Sequence, residues 1–285
     1  MMSREGKKVS LNKKVMIGFL LVAIVAFILF NVFSNRNSEE EVKMNIDFTH
    51  VEVESENVHI HLQPTNSNTT TVQLVNNEND RYKLDVDLKG NTLQIDVDRK
   101  WFKKFFFNFF ADTPTVNVML PEKEFKEINA TTDNGDILVK NVKVENFIGE
   151  TDNGNIEAQK MEVEDFVGEA DNGDIILDDL ASKVITTELN NGNIKIKNST
   201  GTIVGESDNG DISVHTEVLN QPMELETNNG SINIETNKEP SDILIDVNTD
   251  HGKVSVFGKD NKQTTFGNGK TVIELTSDNG DITVK

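Results

Sequence analysis

The sequence predicts an all-β fold: a β-solenoid or β-helix-like stack of roughly 19-residue coils, preceded by one N-terminal transmembrane helix. Three observations carry this. The motif Asp-Asn-Gly-Asp, or a close relative, recurs with its glycine at Gly135, Gly154, Gly173, Gly192, Gly210, Gly230, Gly252 and Gly280, at spacings of 19, 19, 19, 18, 20, 22 and 28. Apolar residues keep fixed distances from that glycine. One uncharged apolar run, residues 15–33, precedes everything else.

The N-terminal elements set the topology. Residues 1–14 carry Arg4, Lys7, Lys8, Lys13 and Lys14 against Glu5, a basic patch of +4. The nineteen residues 15–33 form a helix of about 28 Å, enough to span the hydrocarbon core. The positive-inside rule then leaves the N-terminus in the cytoplasm and exports the remaining 252 residues. A cleaved signal peptide is the alternative. No small-x-small site follows the run, which is also long for a signal h-region, so an uncleaved signal anchor is favoured. The absence of cysteine excludes a lipoprotein and any disulfide staple.

Residues 34–43 read as a short polar, Glu-rich linker that keeps the exported domain near the membrane. Residues 44–130 form a less regular β region, with strands expected at 51–53, 58–62, 71–75, 82–88, 93–97 and 115–120, beginning the same stack and capping it. Within it, residues 101–110 hold seven of the chain's eighteen aromatic side chains. Strand alternation fails there. At helical spacing Trp101, Phe102, Phe105, Phe106, Phe109 and Phe110 cover half a circle, opposite Lys104 and Asn108. Two readings stay open: a plug closing the N-terminal end of the solenoid, or Trp101, Phe102, Phe105, Phe106 and Phe109 dipping into the outer leaflet.

Residues 131–285 are the regular repeat. Seven positions before each glycine stand Ile128, Phe147, Phe166, Ile185, Ile203, Met223, Ile245 and Ile273; two and four positions after it stand further aliphatic columns beginning at Ile137 and Val139. Spacing of two within each arm is strand alternation. Gly149, Gly168 and Gly205, five before the motif glycine, leave room for the bulky column beside them. An Asn-Gly dipeptide between strands normally signals a hairpin and a meander. The near-constant period favours a solenoid instead, because coils of unequal length would lose register.

Stacking turns the motif into ladders. Asn134, Asn153, Asn172, Asn191, Asn209, Asn229 and Asn279 align as a turn ladder of amides about 4.8 Å apart, interrupted by His251. Asp133, Asp136, Asp152, Asp171, Asp174, Asp208, Asp211, Asp278 and Asp281 form an acidic corner ladder. Two carboxylates one rung apart repel by about 0.9 kcal/mol even in water. Alternation of Asp136, Asn155, Asp174, Asn193 and Asp211 tempers this, whereas Asp133, Asp152 and Asp171 are consecutive. Calcium at such corners is conceivable chemistry. Local turn preference explains Asp and Asn more simply, and the nine-residue calcium β-roll repeat is absent, so no cofactor is expected.

Catalytic constellations are lacking. His59 and His61 share a strand face without a third ligand nearby in sequence and read as solvated; His215 and His251 are isolated. Residues 131–285 contain no arginine and no long loops to wall a polysaccharide-lyase cleft, leaving only lysine as a base. A non-enzyme is expected. The net charge is −20, hence −24 outside the basic patch of +4. Such a surface repels nucleic acid and anionic polymers and attracts cationic peptides. It also serves solubility and edge protection.

The signal-anchor run, the irregular strands ending at Leu120-Pro121, and the tandem Thr/Ser-Asp-Asn-Gly-Asp-Ile units resemble the bacterial putative-adhesin family of unknown function, over roughly residues 44–285. Its LiaG-like membrane-anchored members are linked to cell-envelope stress. The resemblance implies a single-pass cell-membrane protein with an extracytoplasmic β-solenoid, and supplies no catalytic residues. Two functional classes follow: an envelope-stress accessory that binds a membrane protein or cationic peptide, or a surface adhesin that binds glycan or protein. The short linker favours the first. The chain stops five residues after Gly280, so the final coil is expected to expose an edge, covered by residues 258–270 folding back or by a partner strand.

Overall fold

The computed structural model describes residues 40–100 and 113–285. The apolar run 15–33 and the aromatic segment 101–110 lie outside the described residues. Within them, no helix is long and apolar enough to cross a membrane.

Each regular coil is two strands and two corners. Glu124–Asn134, Lys143–Asn153, Glu162–Asn172 and Ala181–Asn191 are eleven-residue strands, each followed by a four-residue strand: Ile137–Lys140, Ile156–Gln159, Ile175–Asp178 and Ile194–Lys197. Two-residue corners between them complete the period. Long strands pair in parallel with long, short with short, and equivalent residues face one another, as Phe147 faces Phe166 and Ile156 faces Ile175. The described residues form two twelve-stranded sheets enclosing one core. Asn-Gly is therefore a corner between sheets and closes no hairpin.

The core is built from the columns. Ile128, Phe147, Phe166 and Ile185 from long strands are fully buried against Ile137, Ile156, Ile175 and Ile194 from short ones. The Phe147 and Phe166 rings stack at 5.2 Å. A Cβ at Gly149 or Gly168 would come within 3.1 Å of the ring two residues earlier, which is why those positions are bare. Irregular spacings are absorbed locally. The 18-residue step is taken up by a register shift near Ala181 and Val184, so the columns beyond it stay aligned.

The motif glycine answers a steric demand. An added Cβ would lie 2.0 Å from the Gly135 carbonyl oxygen at Gly154, 1.7 Å from that of Gly173 at Gly192, and 1.6 Å from that of Gly192 at Gly210. Successive corners touch backbone to backbone, so no side chain fits. The second corner uses the left-handed conformation instead: Asn141, Lys160, Asp179 and Asn198 have φ of 54°, 53°, 64° and 49°.

Both ends are threaded out of sequence order. The coil 50–65, of His50–Ser55 and His59–Thr65, lies between the strands Thr92–Arg99 and Thr115–Pro121 on one side and Glu124–Asn134 and Ile137–Lys140 on the other. At the other end, Thr271–Asn279 and Ile282–Val284 insert between the coil starting at Met223 and the coil starting at Ile243. Antiparallel strands finish each end: Tyr82–Lys89, Thr70–Val75 and Glu40–Met44 at one, Gln263–Phe266 at the other.

Three expectations change accordingly. The last coil in sequence is not an edge; it is buried between neighbours, and residues 263–266 cover the coil 243–256 instead. His251 does not interrupt the asparagine ladder but follows its last member, since it pairs in register with Asn279, which itself faces Asn229. Residues 40–43 are no linker. Alternation in Glu40–Met44 turns Val42 and Met44 onto the core while glutamate and lysine occupy an exposed sheet edge, which tolerates charge.

Candidate functional site

Four ladders run along the stack near the Asn-Gly corner. The asparagine ladder is continuous from Asn57, a rung not anticipated, because Asn134 Nδ2 donates to Asn57 Oδ1 at 3.0 Å. Each later rung repeats the bond: Asn153 to Asn134, Asn172 to Asn153, Asn191 to Asn172, Asn209 to Asn191, Asn229 to Asn209 and Asn279 to Asn229, at 3.0–3.2 Å. Beneath it, the buried hydroxyls of Thr151, Thr227 and Ser277 donate to the carbonyls of Gly135, Gly210 and Gly230. At these corners the glycine carbonyl thus has a side-chain donor.

The residues of the expected acidic ladder fall into two rows on either side of this corner. Asp136, Asp174, Asp211 and Asp281 form the row after the glycine, where each side chain accepts the backbone N–H of the next rung: Asn155 on Asp136, Asn193 on Asp174, Ser231 on Asp211, Lys253 on Asp281. His59 is its first rung, accepting the Asp136 N–H at 2.8 Å. His61, also expected to be solvated, is half-buried; burial first, then His59 beside it, holds its imidazole below the ordinary histidine value. At Asp174 burial raises the carboxyl, but bonds from Lys195 and Asn193 outweigh it and leave the carboxyl below the usual aspartate range. This row is structural.

Asp133, Asp152, Asp171, Asp208 and Asp278 belong to the long strands, two residues before the glycine, and are exposed. Asn190 and Asn228 donate to Asp171 and Asp208 at 2.7 and 2.8 Å. A glutamate column stands beside them. Glu150, Glu169, Glu188, Glu206 and Glu226 face one another in register on successive strands, and the line continues through Thr131 to Glu54 and Asp96 on the first coils. Parallel strands set these carboxylates about 4.8 Å apart. The same alignment on glycine carries this column four positions upstream, so it was legible in sequence.

This face is under-neutralised. Burial, then Glu188 and Glu150, pushes the Glu169 carboxyl above the ordinary glutamate value; burial, then Glu226, Glu188 and Asp208, does so at Glu206. Asp96 is raised by burial and then by Asp98. Shallow hollows open on the face: one of about 90 Å3 among Glu150, Asp152, Glu169, Asp171 and Glu188, another of about 350 Å3 among Glu54, Glu56, Asp96, Asp98 and Asp133. Beside the column, Ile148 and Val184 remain 38% and 36% exposed. Among the described residues no three His, Asp or Glu side chains converge as a metal centre. The face offers charge and apolar contact, the chemistry of binding.

Residues 48–285 match the model of the family described as Toastrack DUF4097. Solved structures similar to this chain include a putative cell adhesion protein from Clostridium sporogenes, at 15% identity over 88% of this chain and 99% of that one, with a TM-score of 0.34. A putative adhesin from Bacteroides fragilis shows 12% identity over 87% and 97%, with a TM-score of 0.41. A putative lipid binding protein from Parabacteroides distasonis shows 18% identity over 88% and 98%, with a TM-score of 0.44. No curated protein matches the sequence.

Proposed function

From the premise that this chain belongs to the Toastrack DUF4097 family, we propose that it is a membrane-anchored, non-enzymatic binding protein that engages a cationic partner outside the cytoplasmic membrane. The partner is a basic peptide or the basic segment of a membrane protein, met during cell-envelope stress. The in-register glutamate column carries this reading. Five like charges stand stacked at strand spacing; burial first, then the neighbouring carboxylates, raises Glu169 and Glu206, and a cationic ligand relieves that repulsion on binding.

Support for membrane attachment comes from where the chain leaves the described body. Lys100 Nζ lies 3.7 Å from Glu40 and 2.5 Å from Asp80. Glu40, where the described residues begin, and Lys100, where they break, therefore share one corner of one end. That end is already covered by Tyr82–Lys89, Thr70–Val75 and Glu40–Met44, so no aromatic plug is required. Membrane contact by Trp101, Phe102, Phe105, Phe106 and Phe109 is the reading we adopt.

The test uses the full-length chain in zwitterionic nanodiscs and a labelled cationic amphipathic peptide. Binding weakens steadily with added salt, and the combined Glu169→Gln, Glu188→Gln and Glu206→Gln variant loses about tenfold in affinity. Absent binding, or binding indifferent to salt and to the triple variant, removes the proposal in favour of an uncharged glycan or protein ligand.

A further inference from the structure

Asn-Gly is the dipeptide in which a side-chain amide is most easily lost, because the following nitrogen is shielded by no side chain. The chain holds eight, at Asn134, Asn153, Asn172, Asn191, Asn209, Asn229, Asn268 and Asn279. Seven belong to the ladder. There the glycine N–H is committed to the next coil: Gly135 to the Asn153 carbonyl, Gly154 to Asn172, Gly173 to Asn191, Gly192 to Asn209, Gly210 to Asn229, Gly230 to Asn279 and Gly280 to His251, at 2.9–3.2 Å. The carboxamide before it donates to the preceding rung. Attack by that nitrogen on the neighbouring Cγ would break both bonds and pull apart a pair of coils that touch backbone to backbone.

The corner of the outermost coil has no such protection. Among the described residues no carbonyl accepts the Gly252 N–H, and the residue before it is His251, which has no amide to lose. The eighth dipeptide is different again. Asn268 is exposed, its carboxamide has no partner among the described residues, and the Gly269 N–H reaches only Phe266 O of its own turn, at 3.3 Å.

We propose that Asn268 is a deamidation site of this protein and that the stacked corner is a form of Asn-Gly protected from the same reaction. The Gly269 backbone nitrogen bonds to Asn268 Cγ, the Cγ–Nδ2 bond breaks, and ammonia leaves with the proton from that nitrogen. Water then opens the five-membered imide at either carbonyl, giving aspartate or isoaspartate at position 268. The site is placed to matter. Asp242 Oδ1 accepts the backbone N–H groups of Asn268 and Lys270 at 2.8 and 3.3 Å, tying down the loop that follows the cap strand Gln263–Phe266. A new carboxylate there faces Asp242, and isoaspartate adds a methylene to the backbone, so the reaction loosens the cap over the sheet edge.

The test incubates the full-length folded chain at mildly alkaline pH and follows each Asn-Gly by peptide-mapping mass spectrometry with isoaspartate detection. Position 268 converts at least about tenfold faster than any ladder asparagine, the factor expected if a corner must first open. In denaturant the eight sites converge. His251→Asn, folded by circular dichroism, gains a second fast site at 251, and Asn268→Gln abolishes the first. Ladder positions converting as fast as 268 in the folded chain, an intact Asn268, or a folded His251→Asn left unmodified at 251 would each overturn the proposal.

Discussion

At the scale of the residue, the repeat is governed by what fits between two backbones 4.8 Å or so apart. Among the motif glycines only Gly173 and Gly192 have φ in the left-handed range, at 147° and 140°, so conformational freedom alone does not explain the column. Contact does. Gly192→Ala drives a Cβ to 1.7 Å from the Gly173 oxygen, whereas at Gly90, with φ of 64°, nothing lies within 4 Å. Gly192→Ala is expected to cost about 3 kcal/mol or more, a value reserved for forced repacking, and Gly90→Ala only about 1–2 kcal/mol of backbone strain. Urea unfolding of the two variants decides. Equal losses would mean that turn geometry, not stacking, selects glycine.

At the scale of the element, the glutamate column stores repulsion that pH can tune. Glu169 and Glu206 have raised pKa values, so between the ordinary glutamate value and the raised one the native chain binds more protons than the unfolded chain, and stability falls as pH rises. Asp174 is lowered, so its contribution is present above the ordinary aspartate value and is lost as pH falls through the native one. Melting temperature should therefore rise on acidification from neutral and then fall. Glu188→Gln removes the neighbour common to both raised groups, flattens the rise and adds about 0.5 kcal/mol at neutral pH. A melting temperature that only declines, unchanged by Glu188→Gln, would deny the column any energetic role. These columns were readable because stacking repeats a residue type at a fixed period. The second corner was not: Asn141, Lys160, Asp179 and Asn198 share a backbone conformation but no side-chain type, and Lys160 gives no left-handed signal. Asn57 was missed, and His59 read as solvated and not as a rung, for a related reason: their coil has Val58 where the others have the glycine that marks the corner.

At the scale of the whole molecule, threading decides how a stack of about 53 Å, eleven strand spacings, ends. Sequence distance is silent about which coils are neighbours; only the spacings of 22 and 28 hinted that the C-terminal order changes. The Lys285 backbone pairs with the coil starting at Met223, its N–H on Ile234 O and its carbonyl accepting from Thr236, while the coil 243–256 is outermost. The remaining liability is the long-sheet edge at Ile243–Asp246, whose pairing is completed by Gln263–Phe266. Phe266 also packs edge-on against Phe257 at 5.3 Å, closing the bottom of the core. Deleting residues 259–270 and bridging the gap with a short glycine-serine link bares four residues of edge together with that aromatic pair's contact surface. Light scattering after size exclusion should then show oligomers growing with concentration, while far-ultraviolet circular dichroism keeps its β signature. A deletion variant that stays monomeric at every concentration would show that the outermost coil needs no cap, and that the charge of this surface alone keeps one stack from adding to another.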